Sequence, residues 1–373
     1  MPGTCSMTNL VPKKKQITPT EPILDSGIMI VVSAPGFKDV KDNKLLSGYE
    51  GAMVQELLRA VGLTMTECYI TSVLKEVPDG RDIYSLCRKK AEVDKEAREL
   101  GWSVYPHLPL ASGKYLRPFH CLSLFTLQKE ILDRKPRVII ALGQLPLWAL
   151  CGVSTIQKSR GVLTNSTLAP GTFVVPTYAP DTIRKKYEFK SVAIMDYMKA
   201  KNYAEGTLKA FDRTILVPET IDEARELAQT HINPHPVIAS DIETIKNKFI
   251  TCISFAGTAE IGIVYPFIKR VGNRHESIWS KSEELELLRL TKEILEREDQ
   301  VIVGQNFQYD LSFLFKYGIK PRNVCQDTMF MHHALYLELP KSLGFMGSVY
   351  TAMFQWKDMR PRGKEGESTK ADD

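Results

Sequence analysis

Short apolar runs alternate with helical patterns over the first half of the chain. The run Ile28–Val32 is entirely apolar and is followed by Ser33-Ala34-Pro35-Gly36, a series of turn-forming residues. Residues 50–61 place Met53, Leu57 and Val61 on one stripe, which predicts an amphipathic helix. Further strands are predicted at 69–74, 137–142 and 172–175, and further helices at 118–132, 145–151 and 189–203. Strands that alternate with helices indicate a parallel sheet with helices on both faces.

A second pattern begins after residue 212. Its apolar runs predict strands at 213–217, 236–241, 249–256, 260–265 and 301–303. Its periodic stretches predict helices at 221–230, 283–297, 306–317 and 327–337. The first of these helices has Thr220 as its N-cap and Glu223 as the capping-box partner. The two patterns together predict an α/β protein of two domains.

Two acids stand two residues apart at the end of the strand predicted at 236–241. Residues i and i+2 of a strand point the same way, so Asp241 and Glu243 are expected on one face. Two adjacent carboxylates repel each other unless a cation lies between them. A lone Asp-x-Glu is also compatible with two solvated acids at a strand end.

A third acid follows in the stretch from Gly304 to Ile319. On the helix predicted there, Asn306 and Asp310 are four residues apart and share a face with Phe307. Three carboxylates form the oxygen-rich kind of site that holds hard divalent cations. Two such ions, about 3.5–4 Å apart, can activate water and stabilise the leaving oxygen of a phosphodiester.

Composition restricts the class of protein without identifying it. The chain has 373 residues with a net charge of +5, which permits a nucleic-acid partner but does not require one. No apolar run is long enough to span a membrane, and the N-terminus lacks an apolar signal core. The seven cysteines are scattered without a C-x-x-C pair, which favours free thiols in the cytoplasm.

Residues 213–355 resemble the proofreading 3′–5′ exonuclease domain of family A DNA polymerases, which has a ribonuclease-H-like fold. The resemblance lies in Ser240-Asp241-Ile242-Glu243-Thr244, in the frame from Gly304 to Asp310, and in Asp327-Thr328-Met329. It implies that Asp241, Glu243 and Asp310 are catalytic metal ligands for Mg²⁺ or Mn²⁺. It also implies that Asn306 and Phe307 contact the DNA strand. For Asp327, an N-cap role is favoured over a catalytic one.

One part of the family pattern is missing from this sequence. The family carries a third motif, Tyr-x-x-x-Asp, and no such spacing occurs after Asp310. We therefore expect weak or absent exonuclease activity from this chain alone. The resemblance implies a split or truncated polymerase that acts on single-stranded 3′ ends of DNA. It also implies a polymerase-domain partner chain or other replication proteins, and a bacteriophage source with the host cytoplasm as the location.

Residues 26–204 resemble the uracil-DNA glycosylase superfamily, especially its family 4, which implies a three-layer α/β/α domain. The matching blocks include Ile28–Gly36, Tyr69–Lys75, Lys135–Gly143 and Val174–Arg184. At four positions where the family has functional groups, this sequence has Ser33, Leu46, Ser72 and Ala179. Glycosylase chemistry needs base-edge hydrogen bonds, stacking and anion stabilisation together. We therefore expect a glycosylase pocket that has lost its activity.

Family 4 members also hold an iron–sulfur cluster with four cysteines. Here Cys5 and Cys121 match two of them, whereas Thr8 and Glu76 stand at the other two positions. Two thiols cannot hold such a cluster, so no iron–sulfur cluster is expected. Near Ala179, the basic residues Arg184, Lys185, Lys186 and Lys190 suit either phosphate contact or a solvated charge run.

The expected organisation has five parts: a flexible segment at 1–25, the glycosylase-like domain at 26–204, a linker at 205–212, the exonuclease domain at 213–355, and a disordered charged tail at 356–373. Three functions compete. The first is a proofreading exonuclease whose glycosylase-like domain is a scaffold or a DNA- or partner-binding module. The second is a non-enzymatic DNA-binding or assembly subunit of a replication complex, and the third is an active uracil-DNA glycosylase.

Overall fold

The computed structural model describes residues 17–78, 83–208, 213–245, 248–272 and 274–351. These residues fall into two compact units, 17–208 with 344–351, and 213–343. The predicted tail at 356–373 and Cys5 lie outside the described residues, as do residues 1–16 and 209–212. In the described part of the chain, no helix is both long enough and apolar enough to cross a membrane.

The first unit is built on a five-stranded sheet. Its strands are β1 (Ile28–Val32), β2 (Cys68–Ser72), β5 (Val138–Leu142), β6 (Thr164–Asn165) and β7 (Phe173–Thr177), with a separate pair β3 (Cys87–Arg88) and β4 (Tyr115–Leu116). The strand order is β2-β1-β5-β7-β6, and every neighbour pair is parallel except β6 with β7. The parallel pairing predicted from the alternating pattern is therefore confirmed.

Helices cover both faces of this sheet. They are α1 (Phe37–Asp42), α2 (Tyr49–Ala60), α3 (Lys90–Glu99), α4 (Pro118–Arg134), α5 (Gln144–Cys151), α6 (Ile156–Ser159), α7 (Pro180–Lys185) and α8 (Phe189–Ala204). Met29, Val31 and Ile139 pack in one core with residues of α3, α4 and α5. Helix α8 contacts β1, β5 and β7 and packs against α2. The all-apolar run of β1 results from this burial on both faces.

The second unit is built on a six-stranded sheet. Its strands are β8 (Thr214–Leu216), β9 (Val237–Ile245), β10 (Phe249–Ala256), β11 (Ile261–Pro266), β14 (Val301–Gly304) and β15 (Val324–Asp327), with a separate ribbon of β12 (Ile268–Val271) and β13 (Arg274–Ser277). The strand order is β15-β14-β9-β10-β11-β8. Strand β10 is antiparallel to both of its neighbours, which gives the mixed sheet of a ribonuclease-H-like fold.

Helices of the second unit pack in the core on one face of its sheet. They are α9 (Ile221–His231), α10 (Lys281–Leu295) and α11 (Gln308–Leu314), and a further helix, α12 (Thr328–Leu335), follows β15. Ile238, Ile253 and Ile302 pack in one core with Ala224 of α9 and Leu287 of α10. Residues alternate in direction along a strand, so the next residues of β9 face the other way.

A last helix, α13 (Leu343–Tyr350), belongs with the first unit from Gly344 onward. The guanidinium of Arg160 lies 3.1 Å from the Ser348 hydroxyl and 4.9 Å from the centre of the Phe345 ring. Lys199 also donates to the Ser348 carbonyl. These contacts join α13 to residues of the first unit, and the predicted end of the exonuclease domain at residue 355 stays a prediction.

Candidate active site

The central strand β9 carries two of the predicted metal ligands. Its residues alternate between exposed and buried from Val237 to Glu243, and both Asp241 and Glu243 are on the exposed face. In the ladder with β10, Ser254 lies opposite Asp241 and Cys252 lies opposite Glu243. The predicted common face for the two acids is therefore present in the structure.

Asp310 brings the third carboxylate to the same strand from helix α11. Its side chain is 3% exposed, and its Oδ1 accepts a hydrogen bond from the Ile242 backbone N–H at 2.9 Å. Ile242 is the residue between the two acids of β9. This bond attaches the third acid to the strand that carries the other two.

Two of the three acids, Asp241 and Asp310, lie where their charged forms are disfavoured. Burial, with the charge of Glu243 as a second cause, raises the pKa of Asp241 to about 6. Burial, with the charge of Asp241 as a second cause, raises the pKa of Asp310 to about 7. Nearby negative charge and lost solvation both disfavour an ionised carboxyl, and a cation reverses both effects.

The turn before α11 differs from the sequence prediction. Asn306 has a φ of 54°, in the left-handed region, and α11 begins only at Gln308. Asn306 and Asp310 therefore do not share a helix face as predicted. The physical reason is a bond from outside the segment, because the Asn306 N–H donates to the carboxylate of Asp327 at 3.0 Å. The side chain of Asn306 is exposed, and its contact with DNA stays a prediction.

Phe307 lies in the core of the unit and is 1% exposed. A Cβ added at Gly304 would come within 2.2 Å of the Phe307 ring, so the ring packs directly on a residue that has no side chain. The expectation that Phe307 contacts DNA conflicts with this burial. Sequence reasoning missed the pairing because Gly304 and Phe307 meet only through the left-handed turn between them.

Asp327 organises the same turn. Its Oδ2 accepts from the Phe307 N–H at 2.8 Å, and its Oδ1 accepts from Asn306 at 3.0 Å and from Met329 at 2.9 Å. The last of these bonds caps helix α12, so the predicted N-cap is confirmed. The carboxylate of Asp327 therefore satisfies three backbone donors and is directed at the turn that precedes Asp310.

Two further features of the site were not foreseen. The hydroxyls of Thr244 and Tyr309 lie 2.7 Å apart, which links the end of β9 to α11. A groove of about 390 Å³ borders Asp241 and is lined largely by small residues, among them Ala239, Ser254, Ala256 and Gly262. In the sequence, the small residues at alternate positions of β10 are the feature from which this groove could have been predicted.

The side chains of Asp241, Glu243 and Asp310 have the donor chemistry that a divalent cation prefers. Three carboxylates offer only oxygen atoms, and the raised pKa values of Asp241 and Asp310 show an environment short of positive charge. The chemistry of these residues fits a hard cation. Among the described residues, however, no three acids, histidines or cysteines are arranged so that they could hold a metal ion.

The four predicted positions of the glycosylase pocket belong to the first unit. Ser33 follows β1, Ser72 ends β2, and Ala179 follows β7, so all three lie at the carboxyl ends of parallel strands. Ser72 is 1% exposed, and its hydroxyl has no hydrogen-bond partner among the described residues. Leu46 is 6% exposed with a φ of 57°. Three small side chains thus stand at the edge where parallel α/β sheets bind ligands.

The cluster-ligand position Cys121 is part of the protein core. Its Sγ lies 3.4 Å from the Tyr105 hydroxyl, and burial raises the pKa of its thiol to about 12. Glu76, at another ligand position, lies 3.8 Å from His120 Nδ1. Cys121 thus has a hydrogen-bonding partner within the core of the first unit.

The basic residues after Ala179 are partly paired with acids. Arg184 lies 3.4 Å from Asp181, and Lys190 donates to both Glu56 and the Tyr187 hydroxyl. Lys185 and Lys186 are exposed. This arrangement fits a solvated charge run at least as well as a phosphate-binding surface.

Comparison with known proteins identifies two domains. Residues 19–199 match the model of the uracil DNA glycosylase superfamily, and residues 216–357 match the model described as 3′-5′ exonuclease, of the family A polymerase type. No curated protein sequence matches the chain.

Among solved structures, the chain is similar to the EXD2 exonuclease domain. The crystal soaked in Mn and Mg is 16% identical, with a TM-score of 0.24, 33% of this chain covered and 57% of that chain. The crystal soaked in Mg and dGMP is 16% identical, with a TM-score of 0.25, 43% of this chain covered and 79% of that chain. The chain thus spans little more than half the length of the first of these structures.

Proposed function

Since the chain joins a domain of the uracil DNA glycosylase superfamily to a 3′–5′ exonuclease domain, we propose that it removes nucleotides from single-stranded 3′ ends of DNA. It acts as the proofreading part of a family A DNA polymerase. The observation that carries this proposal is the 2.9 Å bond from the Ile242 N–H to Asp310, which gathers three carboxylates at one strand.

Asp241, Glu243 and Asp310 would hold two Mg²⁺ or Mn²⁺ ions. When bound, such ions lower the pKa of a water molecule and neutralise charge on the leaving oxygen of the phosphodiester. The role of the protein is to present three deprotonated carboxylates on a rigid strand and helix. The Asp310–Ile242 bond keeps one carboxylate oxygen directed at the strand, and the other oxygen is available as a ligand.

The first unit would serve as a scaffold or as a DNA- or partner-binding module. Ser33, Ser72 and Ala179 lack the acid, amide and imidazole that glycosylase chemistry uses at these positions. Ser72 is also almost fully buried, so its hydroxyl is poorly placed to read a base edge. We therefore expect no release of uracil.

The test is a cleavage assay on 5′-labelled single-stranded DNA with Mg²⁺ or Mn²⁺. We expect a ladder of products shortened from the 3′ end, weak for the chain alone and stronger with a polymerase-domain partner. Asp241→Ala should lower the rate by at least about 100-fold, because a missing ligand weakens the metal site. Glu260→Ala, which removes an exposed acid of the same unit, is the matched control.

Two outcomes decide between the functions. No laddering with either metal, with or without a partner, would exclude the exonuclease. It would favour the second function, a non-enzymatic DNA-binding or assembly subunit. Alkali-labile sites in a uracil-containing strand would instead support the third function, an active uracil-DNA glycosylase.

A further inference from the structure

A two-stranded ribbon stands outside the main sheet of the second unit. Strands β12 and β13 pair only with each other, from Ile268 opposite Ser277 to Val271 opposite Arg274. Its base is anchored, because Phe267 and Trp279 on either side are buried. Beyond Ile268, every described residue of both strands is exposed. An isolated two-stranded ribbon gains little stability in water. The exposure of this ribbon therefore indicates a role other than packing.

The ribbon carries an excess of positive charge. Lys269, Arg270 and Arg274 face only one acid, Glu276, which lies opposite Lys269. Among the described residues, none of these three cations forms an ion pair with a carboxylate. Arg270 instead donates from Nε to the Gly272 carbonyl at 3.0 Å, which holds its guanidinium at the tip.

Other cations of the same unit behave differently. Arg289 lies 3.4 Å from Glu286, Lys292 lies 3.7 Å from Glu296, and Arg297 lies 2.7 Å from Asp299. Charges that are already paired have less to gain from a phosphate than unpaired ones do. The ribbon therefore concentrates cations that remain available to an anionic partner.

The ribbon begins at the level of the three acids. Cys252 of β10 lies opposite Glu243 on one side and opposite Pro266 on the other. The Phe267 N–H then donates to the Thr251 carbonyl at 2.8 Å, just before β12 begins. Two strand spacings amount to about 10 Å, so the base of the ribbon lies roughly that far from Glu243. One or two nucleotides bridge such a distance.

We infer that this ribbon binds the phosphodiester backbone of the single DNA strand whose 3′ end enters the site of Asp241, Glu243 and Asp310. The inference rests on the proposed exonuclease function for its choice of partner. Lys269, Arg270 and Arg274 contact successive phosphates and release counterions as they do so. Backbone contacts of this kind position a strand without reading its sequence. Their role is to keep the strand on the protein between successive cleavage events.

The experiment measures binding of a 5′-labelled oligothymidylate to the full chain in the presence of a chelator, so that no cleavage occurs. The variant Lys269→Ala/Arg270→Ala/Arg274→Ala should bind roughly 10- to 100-fold more weakly near 0.1 M salt. The slope of log K against log salt should become shallower by about 2, since each single-strand phosphate contact contributes about 0.7.

A matched variant, Arg289→Ala/Lys292→Ala/Arg297→Ala, removes the same charge from paired positions and should leave both quantities near the wild-type values. Lys269→Arg/Arg270→Lys/Arg274→Lys keeps the charge and should retain binding, which separates loss of charge from loss of folding. Equal weakening by the paired-position variant, or wild-type binding by the ribbon variant, overturns the inference. So does failure of the wild-type chain to bind the oligonucleotide. Binding is measured without metal and does not depend on cleavage. If the chain binds the oligonucleotide but fails to cleave DNA in the separate assay with Mg²⁺ or Mn²⁺, that result counts against the exonuclease function and not against the binding role of the ribbon.

Discussion

At the scale of single residues, Asp327 connects three parts of the candidate site. One carboxylate accepts backbone bonds from Asn306, Phe307 and Met329, so it joins a left-handed turn to the start of a helix. Left-handed φ values are unfavourable for residues with a side chain and persist only where other contacts fix them. Asp327 supplies those contacts, and the conformation of the left-handed turn then determines the residue at which α11 begins.

We expect Asp327→Asn to loosen this turn. The amide group of the variant would bring an N–H against a backbone N–H, and the loss of one hydrogen bond at this partly exposed position costs about 0.5–1.5 kcal/mol. Hydrogen exchange of the 304–310 amides, followed by mass spectrometry, measures the effect directly. Thr220→Ala is the comparison, because Thr220 caps α9 through one bond only and its loss costs about 1 kcal/mol. An increase in exchange confined to α12 would show that Asp327 acts as a cap and no more.

The acids of the site also predict a pH dependence in the absence of metal. The folded-state pKa values of Asp241 and Asp310 are raised to about 6 and about 7, above those of the unfolded chain. Their protonated forms therefore favour the folded state, and this contribution is lost as pH rises through those values. With a chelator present, the free energy of unfolding should fall between about pH 4 and pH 7 relative to that of Asp310→Asn.

Thermal unfolding of both proteins across this pH range provides the measurement. Adding Mn²⁺ at the upper end should restore stability to the wild-type chain and much less to the variant, because binding to the folded state raises stability. Parallel pH profiles for the two proteins would contradict the electrostatic description of the site.

At the scale of elements, the sequence predicts those helices and strands whose position depends on neighbouring residues in the chain. The run Ile28–Val32 is apolar because both faces of β1 are buried, and the alternation in β9 places Asp241 and Glu243 outward for the same local reason. The start of α11 was predicted too early, because its true start depends on Asp327, a distant residue. The ribbon of β12 and β13 was not predicted, since its exposed polar residues lack the apolar alternation of a packed strand.

Helix α13 is the element whose position depends most on distant residues. Arg160 and Asp196 form a fully buried pair, 3.1 Å apart, and the Thr177 hydroxyl donates to Asp196 at 2.7 Å. Arg160 then reaches Ser348, which is 188 residues away in sequence. No local pattern in the sequence predicts a contact of that separation.

We therefore expect Arg160→Met to weaken the packing of α13 on the first unit. Removing one partner of a buried ion pair costs about 3–5 kcal/mol, because Asp196 is left without its counter-charge. Ser348→Ala removes a single hydroxyl and should cost about 1 kcal/mol. Hydrogen exchange of residues 344–350 ranks the two variants, and an effect of Ser348→Ala as large as that of Arg160→Met would show that the helix is held by the hydroxyl and not by the ion pair.

At the scale of the whole molecule, the second unit is an insertion in the first. The chain leaves the first unit after residue 208 and returns to it at 344, so residues 213–343 are connected to that unit at both ends. Both domains and their order follow from motifs in the sequence. The return of the chain to the first unit depends on buried charges at Arg160 and Lys199, for which the sequence has no motif.

The contact of α13 with the first unit also has a consequence for the order of events during synthesis. Lys199 and Ser348 are 149 residues apart, so a ribosome that adds roughly 5–20 residues per second needs roughly 7–30 s to make the second after the first. During that interval, the positive charges of Arg160 and Lys199 are without the helix that covers them. The contacts of Arg160 and Lys199 with Ser348 can therefore form only after the second unit has been made.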